Sequence, residues 1–219
     1  MLEQLIEWDK ELMLAINHAH TPFMDVVMQI ASYKYSIVPV CILILYLLFS
    51  GKSCAFKAGN GLGRTCESYN AEGKCCSRAD IKRAFLYLLA IVVTFAICDS
   101  GSTILFKHTI CRLRPCHDPS VIDMVRMLEY KGGQYGFISS HAANLFGLAM
   151  VSSFAIRRRW YTFLIFGWAG LVAYSRVYVG KHFPGDVICG AIFGLIVGLL
   201  VIYIVNIVQA RYFRKKQQI

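Results

Sequence analysis

Two long apolar stretches, residues 84–106 and 187–208, restrict this chain more than any other feature of its sequence. Each is about as long as the roughly 20 residues that a helix needs to cross the hydrocarbon core of a bilayer. Only 16% of the 219 residues are charged, whereas a soluble domain has about 25%. The sequence therefore predicts an all-α protein, a polytopic transmembrane helix bundle that forms one integral-membrane domain over residues 1–219.

Three shorter apolar stretches complete the predicted bundle. They cover residues 35–50, 142–156 and 160–174. With the two long stretches they give five spans, or six if residues 22–33 also insert. Residues 3–17 mix apolar and charged side chains at nearly helical spacing and are too polar to span, which indicates an N-terminal amphipathic helix at the membrane interface. Thr21 and Pro22 are typical of the cap and first residue of a second helix.

The distribution of lysine and arginine predicts the orientation. With five spans, the basic residues within 52–83, 157–159 and 211–216 share one side, which the positive-inside rule makes cytoplasmic. The C-terminus is then cytoplasmic, and residues 107–141 and 175–186 face outward. We expect a bacterial inner-membrane protein whose polar site faces the periplasm. The net charge of +10 favours membrane lipids and anionic substrates over nucleic acid as partners, because most basic residues flank apolar stretches.

Cysteines are concentrated in the connection of residues 51–80. They are Cys54, Cys66, Cys75 and Cys76. Their spacing is not that of paired CxxC knuckles, and adjacent cysteines rarely serve one tetrahedral zinc site. We therefore expect no metal there and assign the segment no role. Cys111 and Cys116, on the predicted outer side, are either paired in an oxidising compartment or free.

Residues 107–115, at the outer end of the second predicted span, form the first of three polar clusters. Basic side chains at a span end commonly anchor a helix to lipid headgroups, and one or two would need no other explanation. Lys107, Arg112 and Arg114 lie close together on the side that the positive-inside rule disfavours. Arginine offers a planar fork to a phosphate and lysine a point charge. The cluster therefore indicates an anion site.

The second cluster, residues 136–144, stands at the start of the third predicted span. Ser139 and Ser140 lie where a helix cap belongs, and a helix N-terminus also presents free N–H groups to an anion. His141 then lies in the first helical turn, where a lone histidine is more often structural than catalytic.

The third cluster, residues 175–186, joins the last two predicted spans. His182 and Asp186 are four residues apart, so the carboxylate can orient one ring nitrogen and leave the other as a nucleophile or base. Pro184 interrupts any continuous helix, so the pairing is expected through a turn. By spacing alone the segment is equally compatible with a structural interfacial loop, and we expect Lys181 to lie on its outer surface.

Together the clusters hold cations, two histidines, one carboxylate and two serines on one predicted face. They lack the paired carboxylates typical of a magnesium site. This set of groups indicates phosphoryl transfer through a phosphohistidine without metal or other cofactor. The cations would neutralise the phosphoryl oxygens, one histidine would attack, and the other would protonate the leaving oxygen.

The same residues carry a resemblance to the type 2 phosphatidic acid phosphatase superfamily. Three motifs in register are similar to those of the family. They are Lys107 with Arg114-Pro115, then Ser139 and His141 with Ile138 and Ser140 in place of proline and glycine, then Ser175-Arg176 with His182 and Asp186. The resemblance covers roughly residues 85–205, which would form the motif-bearing core of the domain.

The resemblance implies a role for each of these residues. His182 would be the nucleophile, Asp186 its orienting partner and His141 the general acid. The phosphate would be bound by Lys107, Arg114, Ser139, Ser140 and Arg176. Because Ser140 replaces a glycine, the backbone there would approach the phosphate less closely, although its N–H can still donate.

Glycines on the last span support this arrangement. Gly190, Gly194 and Gly198 recur every four residues and form a smooth ridge that lets another helix approach closely. We expect the ridge to face the bundle interior, with Gly167 and Gly170 of the fourth span as the partner surface.

The function that follows is a metal-independent membrane lipid phosphatase that hydrolyses a phosphomonoester or pyrophosphate of an amphiphile. By the resemblance, candidate substrates are undecaprenyl pyrophosphate, lipid A phosphate and phosphatidylglycerol phosphate. A lipid phosphotransferase that uses the same phosphohistidine remains an alternative. So does a non-catalytic lipid-binding or transport protein, against which the intact histidines and Asp186 speak. The oligomeric state is not indicated by the sequence.

Overall fold

The computed structural model describes residues 1–50 and 78–217, and the described residues form helices joined by turns and loops. The one isolated β-bridge in this part of the chain joins Leu113 to Tyr135. The prediction of an all-α protein is therefore confirmed. The cysteines of the predicted 51–80 connection lie outside the described residues.

Helices follow one another along the chain with few long interruptions. Their bounds are α1, Leu2–His18; α2, Pro22–Ser32; α3, Val38–Phe49; α4, Arg78–Gly101; α5, His108–Ile110; α6, Ser140–Ile156; α7, Arg159–Tyr178; and α8, Pro184–Gln217. A 3-10 turn, Lys34–Ile37, leads into α3, and a π-helical segment, Ser102–Lys107, joins α4 to α5. A second 3-10 turn covers Pro115–His117.

The two long apolar stretches form continuous helices. Ile81–Ile110 and Pro184–Arg211 are long and apolar enough to cross a membrane, and α2 with the Lys34–Phe49 segment is a third candidate bent by 69°. Large apolar side chains on α4 and α8 remain exposed, among them Phe85, Leu89, Ile192 and Tyr203. Such surfaces are stable only in lipid. The chain is therefore an integral membrane protein.

The predicted start of the second helix is confirmed. Thr21 caps α2, since its hydroxyl accepts a hydrogen bond from the Met24 N–H at 3.2 Å, and Pro22 occupies the first helical position. Helix α1 covers the residues for which the sequence predicts an interfacial helix, and its place at the interface stays a prediction. It packs on the bundle through Asn17, whose side-chain amide donates to the carbonyls of Tyr178 at 2.7 Å and Arg126 at 2.9 Å.

The centre of the bundle is the contact between α6 and α8. The glycine ridge of α8 makes it possible, because a Cβ at Gly194 would lie 2.1 Å from the Ala143 carbonyl oxygen and one at Gly190 would lie 2.5 Å from that of Ser139. The prediction that the ridge faces inward is confirmed. The predicted partner was wrong: a Cβ at Gly167 or Gly170 would meet nothing within 4 Å, so the ridge packs on α6 and not on α7.

The third polar cluster, residues 175–186, spans the last turn of α7, a short connecting turn and the first turn of α8. Helix α7 continues through Tyr178, which places Ser175 and Arg176 on its last turn. A short turn then carries His182, and α8 begins at Pro184 and holds Asp186 in its first turn. The predicted pairing of His182 and Asp186 across a turn is thus the arrangement found.

Candidate active site

His182 and Asp186 are both buried and face each other across the turn before α8. Their exposed fractions are 2% and 0%. Nδ1 of His182 lies 3.6 Å from Oδ2 of Asp186, which is slightly too long for a hydrogen bond, although the carboxylate is the acceptor that faces this nitrogen. Because Nδ1 is turned toward the carboxylate, Nε2 is the ring nitrogen left for chemistry.

The Asp186 carboxylate is held by two donors. Oδ1 accepts a hydrogen bond from Arg112 Nη1 at 2.8 Å, and Oδ2 accepts one from the Phe183 N–H at 3.1 Å. Arg112 in turn donates from Nη2 to Asp9 of α1 at 2.6 Å. Asp9 also accepts from the Gly185 N–H at 2.7 Å, so one carboxylate ties α1 to both Arg112 and the start of α8. Charge-assisted bonds of this length are strong and directional.

Arg114 is positioned by pairing between its own segment and residues 134–136. The Arg114 N–H donates to the Gln134 carbonyl at 3.0 Å, and the Arg114 Nε donates to the Tyr135 carbonyl at 3.2 Å. Gly136 lies against this pair, where a Cβ would come within 3.1 Å of both the Arg114 Cγ and the Asp186 Oδ2. A glycine therefore lets Arg114 and Asp186 approach the same point.

Lys107 reaches the site from the last residue of the π-helical segment. Its Nζ donates to the Ser140 hydroxyl at 2.6 Å, and that hydroxyl also lies 2.6 Å from the hydroxyl of Ser102. The π-helical turn changes the register of the helix, which is a common device at functional sites. Ser140, the residue that replaces the family's glycine, thus holds the lysine of the first motif.

Arg176 is a buried cation whose Nη1 contacts groups of the protein itself. Its Nη1 donates to the Ser32 carbonyl at 3.1 Å, contacts the Ser32 hydroxyl and lies 3.5 Å from Glu129 Oε2. Lys181 approaches the same Glu129 oxygen at 3.4 Å and is only 8% exposed. The expectation that Lys181 lies on the outer surface was therefore wrong, because Glu129 supplies the negative charge that draws the lysine inward.

Ser139 and His141 flank Ser140 at the start of α6. Ser139 is fully buried and caps the helix, with its hydroxyl 3.5 Å from the Ala142 N–H and its own N–H donating to the Asp186 carbonyl at 2.9 Å. This contact fixes the first turn of α6 against the first turn of α8. His141 is thereby placed opposite His182.

A cavity of about 420 Å³ collects most of the predicted site residues. Its wall includes Lys107, Arg114, Ser140, His141, Arg176 and His182. Of the predicted set, Ser139 and Asp186 stand behind this wall, where Ser139 caps α6 and Asp186 contacts His182. The residues that came from three separate motifs therefore meet at one place.

Burial and positive charge keep the His182 ring neutral. The pKa of His182 lies well below its ordinary value, first because the ring is buried and then because Arg176 and Arg114 are near. Burial also lowers the pKa of Arg114, but the ordinary value is so high that the guanidinium remains charged. A neutral imidazole beside cations has a free lone pair for attack on a phosphorus atom.

Several residues of the site had no role in the sequence analysis. Asp9 and Glu129 were missed because each contacts partners more than 40 positions away, which spacing cannot reveal. Arg112 was noted only as one cation of a cluster. Asp99 was missed although it carried a signal, since it is the only acidic residue in the apolar stretch 84–106 and a carboxylate within a membrane span is costly.

Cys111 and Cys116 are free thiols. Cys111 donates to the His108 carbonyl at 3.4 Å, and the buried Cys116 lies 3.5 Å from the Lys131 carbonyl. Of the two alternatives left open by the sequence, the structure has the unpaired one.

A membrane-embedded helix bundle whose cavity collects four cations, the fourth being Lys34, and two histidines has the site of a membrane phosphatase. Comparison with known proteins agrees with this class. A family model described as the PAP2 superfamily matches residues 83–209. The chain belongs to the PAP2 superfamily, as its three motifs indicated, and is a membrane-bound phosphatase.

Individual relatives align along most of the chain. A lipid A 4'-phosphatase of Porphyromonas gingivalis is 33% identical over 198 residues, which cover 90% of this chain and 72% of the relative. One from Bacteroides thetaiotaomicron is 33% identical over 213 residues, covering 96% of this chain and 83% of the relative. The crystal structure of Aquifex aeolicus LpxE has a similar fold, with 24% identity and a TM-score of 0.57 over 88% of this chain and 93% of that chain.

Proposed function

We propose that this phosphatase removes phosphate from a membrane lipid through a phosphohistidine formed on His182, without a metal ion or other cofactor. The observation that supports the proposal most strongly is the single cavity in which Lys107, Arg114 and Arg176 surround His182 and His141. Cations supply the charge stabilisation that a metal supplies in other phosphatases.

The first step is attack on the phosphoester. Nε2 of the neutral His182 donates its lone pair to phosphorus while the bond from phosphorus to the lipid oxygen breaks. His141 acts as the imidazolium once the anionic phosphate offsets the surrounding cations, and it gives its proton to that leaving oxygen. The lipid therefore departs as an alcohol, or as a monophosphate if the substrate is a pyrophosphate. The Nδ1–H of His182 donates a hydrogen bond to the Asp186 carboxylate, which stabilises the positive charge that develops on the ring.

The second step returns the enzyme to its starting state. A water molecule attacks the phosphorus of the phosphohistidine and gives a proton to His141, which now acts as a base. The bond between phosphorus and Nε2 breaks, inorganic phosphate leaves, and His182 is neutral again. Lys107, Arg114 and Arg176 hold the phosphoryl oxygens through both steps, with N–H groups of Ser139 and Ser140 at the start of α6 as further donors.

The substrate is a phosphate on a lipid. Both relatives that align over most of the chain carry the name lipid A 4'-phosphatase, which favours lipid A phosphate over undecaprenyl pyrophosphate and phosphatidylglycerol phosphate. The cavity wall includes Phe95, which belongs to the apolar helix α4 and is 44% exposed. A lipid can therefore reach the cavity from the bilayer with its acyl chains still in hydrocarbon.

The proposed topology has five spans, formed by the α2–α3 pair, α4, α6, α7 and α8. The N-terminal α1 lies at the interface and covers the polar end of the bundle through Asp9 and Asn17. Residues 1–219 then form one domain. The distribution of basic residues favours a site on the periplasmic face of a bacterial inner membrane and a C-terminus in the cytoplasm.

Phosphate release from a panel of purified lipid phosphates tests the proposal. The panel contains lipid A phosphate, undecaprenyl pyrophosphate and phosphatidylglycerol phosphate in detergent, with EDTA present and no acceptor alcohol. We expect inorganic phosphate from at least one lipid, with lipid A phosphate preferred. Phosphate that appears only after an alcohol is added would indicate the phosphotransferase, loss of activity in EDTA would indicate a metal, and no release from any lipid would indicate a binding or transport protein.

A further inference from the structure

Asp99 is a carboxylate near the C-terminal end of helix α4, within the candidate span Ile81–Ile110, and the phosphate chemistry does not use it. It lies eight residues before Lys107, which is about 12 Å along a helix axis. Asp99 is exposed, yet it also lines the catalytic cavity. A carboxylate within a membrane span is costly unless it faces a polar cavity or a ligand.

Asn144 of α6 lies beside Asp99 on the cavity wall. Its Nδ2 donates to Asp99 Oδ1 at 3.3 Å. Asn144 is 8% exposed, and its Oδ1 has no hydrogen-bond partner among the described residues. The pair therefore presents acceptor oxygens from both side chains to the cavity. A buried acceptor without a donor is rare in folded proteins, and on a cavity wall a bound molecule can supply the missing donor.

The position of the pair relates it to the phosphate site. Asn144 follows His141 by three residues, so it lies about one helical turn, roughly 5 Å, farther along α6. In a phosphorylated sugar ring, a similar distance separates the carbon that carries the phosphate from the substituents on the opposite side of the ring. A substrate group that donates a hydrogen bond to Asp99 or Asn144 would therefore belong to the part of the lipid that carries the phosphate.

We propose that Asp99 and Asn144 form an acceptor subsite that binds hydroxyl or amide N–H groups on the lipid moiety next to the phosphate. The inference rests on the proposed function, because it assigns a substrate class to the same cavity. It selects lipids built on a hydroxyl- or amide-bearing unit, such as a phosphorylated amino sugar. A polyprenyl phosphate offers only hydrocarbon at that distance and would leave both acceptors unsatisfied.

Selectivity between two substrates tests the subsite. We compare kcat/KM for lipid A phosphate with kcat/KM for a polyprenyl phosphate in the unmodified protein and in Asp99→Leu, Asp99→Asn and Ser100→Ala. Asp99→Leu should lower the ratio of the two values by about tenfold or more, because a charge-assisted hydrogen bond is lost from one substrate only. Asp99→Asn keeps an acceptor oxygen and should give an intermediate ratio, and the exposed neighbour Ser100 should not affect the ratio.

Two results would overturn the subsite. An equal loss on both substrates would mean that Asp99 acts on the chemistry through the nearby cations, and an unchanged ratio would mean that it binds no donor. Lipid A phosphate binding to His182→Ala, with and without Asp99→Leu, separates this inference from the proposed function. Weaker binding in the double variant supports the subsite even if no protein releases phosphate, and equal binding contradicts it.

Discussion

Nδ1 of His182 lies 3.6 Å from Oδ2 of Asp186, while Oδ1 of the same carboxylate accepts a 2.8 Å hydrogen bond from Arg112. The carboxylate is thus shared between a guanidinium and an imidazole. Asp9 contacts the other end of that guanidinium at 2.6 Å and offsets its charge. The chain of contacts from Asp9 to His182 sets how strongly Asp186 can attract the Nδ1 proton.

Asp9 is therefore predicted to be a positioning residue. In Asp9→Asn the guanidinium of Arg112 loses a charged partner and draws Asp186 away from His182. We expect kcat to fall about tenfold, a loss comparable to that of one charge-assisted hydrogen bond, with KM nearly unchanged. Asp9→Glu should recover part of the kcat. The matched control is Glu11→Gln, an exposed residue of the same helix. A rise in KM at constant kcat would contradict this role.

Ser140 is predicted to position Lys107 for the phosphate. Ser140→Ala removes the hydroxyl that accepts from Lys107 Nζ at 2.6 Å, so the lysine must be ordered when the substrate binds. We expect KM to rise about tenfold, as for loss of a hydrogen bond to a charged group. Ser102→Ala leaves the bond between Lys107 and Ser140 in place and serves as control. The assignment fails if both variants change KM equally.

The contact of α6 with α8 predicts a stability difference between two glycine substitutions. Gly194→Ala places a Cβ 2.1 Å from the Ala143 carbonyl oxygen, and both sides of the contact are backbone. Overpacking costs typically 1–3 kcal/mol and here should be at least about 3 kcal/mol, because neither helix can yield locally. Gly167→Ala enters open space and is the control. Thermal unfolding in detergent should separate the two, and equal midpoints would disprove the close packing.

Burial of His182 predicts how stability depends on pH. Its folded-state pKa is lowered, so the unfolded chain binds a proton that the folded chain does not. The stability that this group contributes is complete above the unfolded pKa of about 6.5 and is lost as pH falls below that value toward the lowered folded pKa. In His182→Gln the thermal unfolding midpoint should therefore fall less between about pH 7 and pH 5 than it does in the unmodified protein. His20→Gln, at an exposed histidine, should not. Parallel curves for His182→Gln and the unmodified protein would contradict the burial.

The sequence alone predicted the helices and most of the site because their signals are local. The threonine cap at Thr21, the turn at Pro184 and the glycine ridge each depend on neighbours a few residues apart, and the three motifs have fixed internal spacings. The contacts that complete the site are not local. Asp9 and Arg112 are 103 positions apart, and Arg176 and Glu129 are 47 apart. No periodicity or composition joins such pairs, so the roles of Arg112 and Lys181 became apparent only in the folded chain.

The most direct test of the account is capture of the phosphorylated enzyme. The protein is mixed with a radiolabelled lipid phosphate, quenched in alkali, in which phosphohistidine is stable, and digested for peptide mapping. We expect label on His182, and in His182→Ala neither label nor phosphate release, with folding checked by thermal unfolding. Turnover by a folded His182→Ala variant, or label on another residue of the unmodified protein, would contradict His182 as the nucleophile.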